Sequence, residues 1–302
     1  MRARKAIIGA VLGFGVAIAA AAHGAGKSNG VALELNGRLV GWVGSATGGG
    51  VLVSAPSKVG AGGKAKAENP KYEDIKIECG AGMSPEFWDW IEASLSPRAQ
   101  RQSGSVVTVD PSLKTSQRLD FVNAALNELV FPALDASSKA PATFHISLSP
   151  EAVRDTKGGP AAPVAGKEQA LIVANFRFTI DGMKTAGVSH IEAITIKRAF
   201  TKMDAREVPA APSISHVVFT LPESQAMPYS AWAKVAMKGP NGGAKNGVIQ
   251  LLAPDLKRVL FTLDLVGLVP TQVTLEPSST KSPNTRVEAS VQSVQLLAAH
   301  GG

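Results

Sequence analysis

The sequence predicts a mainly β protein with two tandem homologous domains, each a β-barrel with one flanking helix. Three observations predict this fold class: a motif that occurs twice at a constant spacing, runs that alternate apolar and polar residues, and one helical segment in each half. Alternation with period two is typical of strands that bury one face. Because strands outnumber helices in each half, a small barrel or sandwich is the expected architecture.

Several landmarks of the first half recur in the second half after a constant interval of 143 residues. They are Pro85 and Pro228, Gly104 and Gly247, and Leu113 and Leu256. A repeat of this length is far longer than a solenoid unit, so it predicts two domains. We expect the first domain at residues 26–155 and the second at residues 171–302. A stretch rich in Gly and Pro within residues 151–170 predicts the linker, which we assign to residues 156–170.

Residues 1–25 have the layout of a secretory signal peptide. Three basic residues (Arg2, Arg4 and Lys5) precede an uncharged run at residues 6–22, and small residues that suit cleavage follow. The run has 17 residues, which is short of the ~20 that span a membrane. Cleavage is therefore favoured over the alternative, an uncleaved membrane anchor. The sequence predicts export to the periplasm, the outer envelope or the extracellular space.

Charge and cysteine content narrow the function classes further. The formal net charge of +7 includes three cations of the leader, so cleavage leaves +4. So mild a charge, without clustered cations and aromatics, predicts no nucleic-acid partner. Cys79 is the single cysteine and cannot form an internal disulfide. It alternates with Ile75 and Ile77, which predicts a buried side chain.

Each half opens with an alternating run, at residues 31–35 and at residues 176–180. The dipeptides that end these runs are Asn36-Gly37 and Asp181-Gly182. Such dipeptides after a period-two run predict β-hairpins with a type I′ turn. The further strands predicted in the first half are residues 44–53, 72–79, 105–109, 118–122 and 143–148. Those predicted in the second half are residues 188–196, 214–221, 248–252, 259–265 and 286–291.

One helix is predicted in the middle of each half. Ser84 suits the N-cap of the first helix and Pro85 suits its first position. The apolar faces at helical spacing comprise Phe87, Trp90, Ile91 and Leu95 in the first helix, and Tyr229, Trp232 and Val235 in the second. Packing against a sheet is the expected role of these aromatic residues, with Phe87, Trp90 and Trp232 as core anchors.

Five segments of the first half form a combination found in a known family. They are Lys71-Tyr72-Glu73-Asp74-Ile75, Phe87-Trp88-Asp89-Trp90, Gly104-Ser105-Val106-Val107, Phe121-Val122-Asn123-Ala124 and Leu134-Asp135-Ala136. Together they resemble the contractile-phage tail tube protein family, whose relatives include the haemolysin-coregulated tube proteins of type VI secretion. The resemblance covers residues 31–155, and it reaches residues 171–295 mainly through the internal repeat.

That resemblance implies a β-barrel with a flanking helix, six such domains per ring, rings that stack into a tube, and no enzymatic activity. Two features depart from it, because tube proteins usually carry one domain and lack a secretory signal. A tandem pair is similar to baseplate hub proteins, in which three double domains make a pseudo-hexamer. The signal peptide favours a periplasmic or outer-envelope ring over a phage role.

No motif for catalysis, cofactor binding or metal binding stands out. None of the five histidines pairs with a His, a Cys or an acid at metal-ligand spacing. His145 and His216 lie at polar positions of predicted strands, where solvation is expected. The tripeptide Gly26-Lys27-Ser28 lacks the first glycine and the preceding strand of a P-loop. We therefore expect no enzyme, no cofactor and no metal site.

Two charged connections are candidate assembly contacts. The cations concerned are Lys58, Lys64 and Lys66 in residues 58–70, and Lys197, Arg198, Lys202 and Arg206 in residues 197–212. One interpretation is a solvated loop. The other, implied by the resemblance to tube proteins, is a contact with a neighbouring ring.

The leading hypothesis is an exported structural protein that self-assembles through strand-edge contacts into a ring or tube, with a pseudo-hexameric ring favoured. Its partner is then itself, in single or stacked rings, and envelope or secretion-machine proteins are further candidates. An arrangement in which the linker stacks the two domains along the axis gives two tiers instead. The alternative function is a secreted monomeric binding module or effector with a tube-like fold.

Overall fold

The structure is a computed structural model that describes residues 17–18, 30–52, 70–96, 99–112, 114–158, 171–203, 206–239, 243–277 and 283–298. Strands dominate the described residues, and two α-helices accompany them. One sheet curls into a nearly closed β-barrel, so the predicted mainly β fold class is confirmed. No helix among these residues is long and apolar enough to cross a membrane.

The first half contains twelve strands and one helix among its described residues. The strands are β1 (Ala17–Ile18), β2 (Gly30–Leu35), β3 (Arg38–Val43), β4 (Ser45–Thr47), β5 (Val51–Leu52), β6 (Lys71–Tyr72), β7 (Ile75–Cys79), β8 (Gln102–Val109), β9 (Thr115–Phe131), β10 (Leu134–Asp135), β11 (Phe144–Ser149) and β12 (Ala152–Lys157). The helix is α1 (Pro85–Leu95), between β7 and β8.

The second half follows the same plan. Its strands are β13 (Phe176–Ile180), β14 (His190–Ile191), β15 (Ile194–Lys197), β16 (Phe200–Met203), β17 (Arg206–Pro209), β18 (Ser213–Ile214), β19 (Val217–Pro222), β20 (Lys245–Leu252), β21 (Val259–Glu276), β22 (Asn284–Ser290) and β23 (Ser293–Ala298). A 3-10 turn (Glu223–Gln225) leads into α2 (Ala226–Ala236), which lies between β19 and β20.

Corresponding strands pair in the same order in both halves. The order is β4–β7–β11–β9–β8–β2 in the first half and β14–β19–β22–β21–β20–β13 in the second. A last strand adds to the long central one in each case, β12 to β9 and β23 to β21. All of these pairs are antiparallel.

The repeated glycine has the same structural role in both halves. Gly104 lies opposite Leu35 across the β2–β8 pair, and Gly247 lies opposite Ile180 across the β13–β20 pair. A Cβ on Gly104 would collide with the backbone oxygen of Glu34, and one on Gly247 would crowd the equivalent backbone. Close approach of two backbones therefore explains why glycine recurs at this position.

The two predicted hairpins have different outcomes. Asn36 and Gly37 both have positive φ, and β2 pairs directly with β3, so the first hairpin is confirmed with an earlier return strand. The second hairpin prediction is wrong, because β13 pairs with β20 and the next strand, β14, pairs with β19. After the turn, the Thr185 hydroxyl donates to the backbone oxygen of Phe178, so a side chain takes the place of a ladder bond.

Two strand predictions at the end of the halves also change. The segment from Ala152 to Lys157, inside the predicted linker region, is a strand that pairs with β9 over its whole length. β23 at the end of the second half was not predicted, although it occupies the equivalent position on β21. Neither strand has the periodic apolar residues from which a strand is predicted in a sequence.

The helices match their predictions except at their starts and at one apolar position. Pro85 begins α1 and Ser84 is its N-cap, but the Ser84 hydroxyl makes no capping hydrogen bond. Pro228 is the third residue of α2, since that helix begins at Ala226. Val235 is 45% exposed, so its placement on the buried face is wrong.

The hydrophobic core is continuous across the two halves. Phe87, Trp90 and Ile91 of α1 are buried in the same cluster as Tyr229 and Trp232 of α2. Trp90 of α1 donates its indole N–H to the backbone oxygen of Gln100 at 3.0 Å, and Trp232 of α2 donates in the same way to the backbone oxygen of Gly243. Cys79, also predicted to be buried, is 1% exposed.

Candidate assembly interface

The two halves meet edge to edge, because a strand of the second half adds to a strand of the first. β15 pairs antiparallel with the C-terminal end of β9, so that Ile194 lies opposite Phe131 and Ile196 lies opposite Leu129. These four side chains are at most 1% exposed. At the end of the pairing, Lys197 Nζ lies 3.0 Å from Glu128 Oε2. We call this contact between β15 and β9 and its surroundings the joint. It combines backbone pairing, an apolar centre and a half-exposed ion pair.

A second pair of short strands strengthens the same joint. Leu134 of β10, in the first half, lies opposite Ile191 of β14 in the second half, and both side chains are buried. β14 continues through β19 into the second sheet. Each half thus contributes one edge segment to the other.

The helix α1 forms the third part of the joint. Trp88 packs edge-on between Phe144 of its own half and Phe261 of the second half, with ring centroids 4.9 and 4.7 Å away. Trp88 is 3% exposed. At the C-terminus of α1, the backbone oxygen of Leu95 accepts a hydrogen bond of 2.7 Å from Arg198 Nη2. Contact between the halves therefore extends from the sheet edge to the helix.

The strand that joins the halves has a counterpart in the first half. β15 pairs with β18, where Ile196 lies opposite Ile214, and β5 pairs with β6, where Val51 lies opposite Tyr72. β5 therefore occupies the same position in the first half as β15 does in the second half. Among the described residues, however, no strand other than β6 pairs with β5, and Val51 is 60% exposed.

The strand edge that receives β15 also has a counterpart, at the end of β21. A bulge interrupts the pairing of β9 with β11 after Leu126, and one interrupts the pairing of β21 with β22 after Pro270. Counting from the bulge aligns Leu129 with Val273 and Phe131 with Leu275. In the described part of the chain no strand lies on the outer edge of β21 at these residues, and Leu275 is 50% exposed.

The helix face that is covered in the first half is exposed in the second. The tryptophans Trp90 and Trp232 align the two helices, so that Leu95 of α1 corresponds to Met237 just after α2. Leu95 packs against the core at the joint, whereas Met237 is 79% exposed. Val235, the counterpart of Ala93 in the same alignment, is 45% exposed. The second half therefore presents an apolar strip where the first half has a partner.

The N-terminal strand occupies a related edge. β1 pairs with β4, with Ile18 opposite Ala46. β4 corresponds to β14, because Ala46 lies opposite Ile77 and Ile191 lies opposite Phe219. The edge of β14 receives β10 of the other half, so Ala17–Ile18 lies where β4 would receive an equivalent segment.

The predicted site residues are placed as follows. Lys58, Lys64 and Lys66 lie outside the described residues, as do residues 1–16 and 19–25 of the predicted leader. Lys197 lies at the joint in the ion pair with Glu128. Lys202 lies on β16, which pairs with β17. Phe87, Trp90 and Trp232 are all buried.

Arg198 differs from the solvated-loop interpretation, because it is 2% exposed. Burial lowers the pKa of its guanidinium from the ordinary arginine value. Sequence reasoning missed the joint strands themselves. The alternation of Ile194 and Ile196 with polar residues indicated a strand, but nothing in it indicated that the strand belongs to the sheet of the other half.

The described residues include no group of three or more His, Cys, Asp or Glu that could hold a metal ion. His145 and His216 are half exposed, and each lies 3.5 Å from a glutamate, Glu78 and Glu288 respectively. Both are surface contacts between neighbouring strands, as the polar positions predicted.

Comparison with known proteins gives a family match in the first half. Residues 60–154 match the family of the T4-like virus tail tube protein gp19. This confirms the resemblance to tail tube proteins for that part of the chain. No curated protein sequence matches the chain.

Two solved structures are similar in part. One is a chain of the anti-feeding prophage baseplate, determined by cryo-electron microscopy with 6-fold symmetrisation, which is 13% identical over 45% of this chain and 97% of that chain, with a TM-score of 0.32. The other is the crystal structure of a type VI secretion system effector from Yersinia pestis, 13% identical over 40% of this chain and 96% of that chain, with a TM-score of 0.26. The family match therefore shows a tail-tube-like region in the first half of the chain.

Proposed function

We propose that this protein is an exported structural subunit that assembles head to tail into a closed ring, by repeating between chains the joint that it forms within one chain. The proposal rests on two strand edges, on β5 and on β21, whose counterparts in the chain are paired with each other. β15 fills the edge of β9 inside the chain. Among the described residues β5 has no such acceptor, and the equivalent end of β21 has no such donor.

The register of the contact between chains follows from the joint within the chain. Ile196 faces Leu129, so Val51 of one chain should face Val273 of the next. Lys197 faces Glu128, so Leu52 should face Gln272. Exposed strand edges flanked by apolar side chains readily pair with another chain. Covering Val51, Leu52 and Leu275, which are 46–60% exposed, adds a hydrophobic term.

The helix side supports the same arrangement. In the joint within the chain, α1 contacts β23, with Gln295 Nε2 donating to Glu92 Oε1 at 3.5 Å. β12 is the counterpart of β23, and its Arg154 and Asp155 are exposed. In the ring, α2 should therefore lie against β12 of the next chain, which would cover Val235 and Met237.

Closure of the ring follows from the repetition. A head-to-tail contact between unlike surfaces gives a ring if its rotation closes, and an open filament if it does not. We propose that the two halves of the chain arose by duplication and take quasi-equivalent places around one axis, which their common strand order supports. With the six domains per ring that the tube family implies, three chains complete one ring. The edge-to-edge joint favours this single tier over domains stacked along the axis.

The predicted export is consistent with the proposed assembly, because residues of the predicted leader pair with β4. Removal of residues 1–25 would remove Ala17–Ile18 from the edge of β4. That edge corresponds to the one on β14 that receives β10. Cleavage would therefore expose the whole assembly surface, and it would do so in the periplasm or beyond. Envelope or secretion-machine proteins are the further partners we propose for such a ring.

A pair of cysteines at the proposed contact tests the register. With Cys79 replaced by Ala, the double variant Val51→Cys and Val273→Cys should form disulfides between chains on oxidation, because opposed residues of antiparallel strands bring Cβ atoms to ~4.5–5.5 Å. A closed ring should give one dominant product, a covalent trimer. A mixture of the two single variants should stop at dimers.

The matched control is Val51→Cys with Leu256→Cys, since Leu256 is also exposed, at 54%, but lies on a turn away from the proposed contact. That pair should give little cross-linking. Equal cross-linking by both pairs, or none by either, would overturn the proposed register. A chain that stays monomeric throughout would favour the other candidate, a secreted binding module.

A further inference from the structure

A cavity of about 760 Å³ lies at the joint between the two halves, beside the C-terminal end of α1. Its wall is made by α1, by residues 209–212 before β18, and by β23, so neither half encloses it alone. Apolar residues dominate the wall, among them Ala93, Leu95, Pro212, Val266, Val294 and Leu296. The volume falls within the ~300–1,000 Å³ of ordinary small-molecule sites.

One buried cation forms part of this wall. Arg198 is 2% exposed, and its Nη2 donates to the Leu95 backbone oxygen. Its Nε and Nη1 are buried without a hydrogen-bond partner among the described residues. A guanidinium stays protonated at neutral pH even where burial disfavours the charge. The wall of the cavity therefore carries a buried positive charge that no acid of the described residues offsets.

The acids near the cavity do not fill this role. Asp89 and Glu92 of α1 also line it, but burial is the one cause that shifts the pKa of Arg198, so no carboxylate of the described residues offsets its charge. Glu92 accepts instead from Gln295. A buried charge without a counter-ion is strongly unfavourable, and the planar fork of arginine suits a carboxylate that accepts two hydrogen bonds.

We propose that the cavity binds a small amphiphilic carboxylate, with its carboxylate beside the buried charge of Arg198 and its aliphatic tail along the apolar wall. The site should occur once per chain. In the sequence the residue after Lys197 is Arg198, whereas the residue after Leu52 is the uncharged Val53. The proposed contact between chains therefore lacks the cation, and only the joint within the chain carries it.

Isothermal titration of the leaderless chain with octanoate tests the site. We expect saturable binding with one octanoate per chain, and no saturable binding of octylammonium, which has the tail without the acceptor. Acetate, which has the acceptor without the tail, should bind at least about tenfold more weakly. Because the site lies within one chain, binding should persist in the monomeric Val51→Asp variant, whatever the outcome for assembly.

Two variants separate the site from general stability. Arg198→Met removes the donors and should weaken octanoate binding by at least about tenfold. Ser293→Trp leaves Arg198 in place and fills the cavity from the exposed side of β23, so it should also abolish binding. Lys197→Met, next to Arg198 but outside the cavity lining, should bind octanoate like the parent chain.

Circular dichroism must show that each variant folds before its binding is compared. The proposal fails if the parent chain shows no saturable binding. It also fails if folded Arg198→Met and Ser293→Trp bind as tightly as the parent, or if octylammonium binds as well as octanoate.

Discussion

Lys197 and Glu128 lie 3.0 Å apart across the strand pairing that joins the two halves. The equivalent positions on the uncovered strands are Leu52 and Gln272, so the contact between chains lacks this ion pair. A partly exposed pair contributes less than ~1 kcal/mol. The joint within the chain is therefore the more polar one, and the proposed contact between chains relies on apolar side chains and backbone pairing.

Copying the ion pair to the second contact should strengthen assembly. In the double variant Leu52→Lys with Gln272→Glu, opposite charges should meet across the contact between chains. We expect the midpoint of assembly to move to lower protein concentration by a few-fold at low salt, corresponding to ~0.5–1 kcal/mol. Mass photometry over a dilution series measures the midpoint.

The control for this prediction is the single variant Leu52→Lys, which loses apolar contact and gains no partner. It should assemble less well than the parent chain. High salt should remove the gain of the double variant but not affect the parent. A double variant no better than Leu52→Lys would contradict the proposed register.

Trp88 should be the most costly single truncation at the joint. It packs between aromatic rings of both halves and is 3% exposed. Trp88→Ala should lower the free energy of unfolding by ~3–5 kcal/mol, because the cavity would open in a core shared by both halves. Denaturant melts measure this loss. Met227→Ala, at a position 82% exposed, should change the stability by no more than ~0.5 kcal/mol.

The start of α1 provides a prediction of the opposite kind. Capping serines usually contribute about 1 kcal/mol through their hydroxyl. Ser84 makes no side-chain capping bond to the backbone, and its hydroxyl acts instead on Glu86, whose pKa it lowers. We therefore expect Ser84→Ala to change the stability by less than ~0.5 kcal/mol in the same melts, whereas Trp90→Ala should lose ~3–5 kcal/mol. A loss of 1 kcal/mol or more for Ser84→Ala would show that the hydroxyl does cap the helix.

Tyr229 links stability to alkaline pH. Its ring is fully buried and its hydroxyl donates to the Lys184 backbone oxygen at 2.8 Å. Burial raises the pKa of Tyr229 to about 12. The pKa of Tyr229 is higher in the folded protein than in the unfolded chain, where a phenol has a pKa of ~10. Burial of the neutral phenol therefore contributes fully to the free energy of unfolding below pH ~10. This contribution should be lost by up to ~1.4 kcal/mol per pH unit from there to the folded pKa.

Urea melts at rising pH measure that slope, and the Tyr229→Phe variant should reduce it. Tyrosinate absorbance supplies an independent readout, since the chain has only two tyrosines. Ionisation of Tyr229 near pH 10 in the folded protein would contradict its burial.

The predicted leader gives a test of export and assembly together. Intact-mass spectrometry of the protein from its native host should show a mature N-terminus between His23 and Lys27. A purified chain that retains residues 1–25 should assemble less well than the mature chain, because Ala17–Ile18 covers the edge of β4. Recovery of the full-length chain from the host, in assembled form, would refute both parts.

Much of the fold was predictable because its determinants are local. Period-two runs placed the strands that flank α1, and the face of Phe87, Trp90 and Ile91 placed the helix in the core. Gly104 and Gly247 recur because both strands approach a neighbouring backbone closely. These features need only a few consecutive residues, so a single sequence carries them.

The joint was not predictable from the sequence, because it depends on residues far apart in the chain. Ile196 faces Leu129 across 67 positions of sequence, and only the tertiary fold brings them together. For Arg198 the sequence left a solvated loop and an assembly contact both open, since local composition carries no information about its burial. The failure of the hairpin after Asp181-Gly182 has a similar origin, because β13 pairs with β20 and β14 pairs with β19 instead of with each other.

Assembly of the mature chain is the central claim, and mass photometry of residues 26–302 tests it most directly. We predict particles of three chains at micromolar concentration, with class averages in negative stain that show six similar lobes around a central opening. Val51→Asp should shift these particles to monomers, because it places a charge in the centre of the contact. A parent chain that remains monomeric at micromolar concentration, with no ring in the images, would contradict the claim.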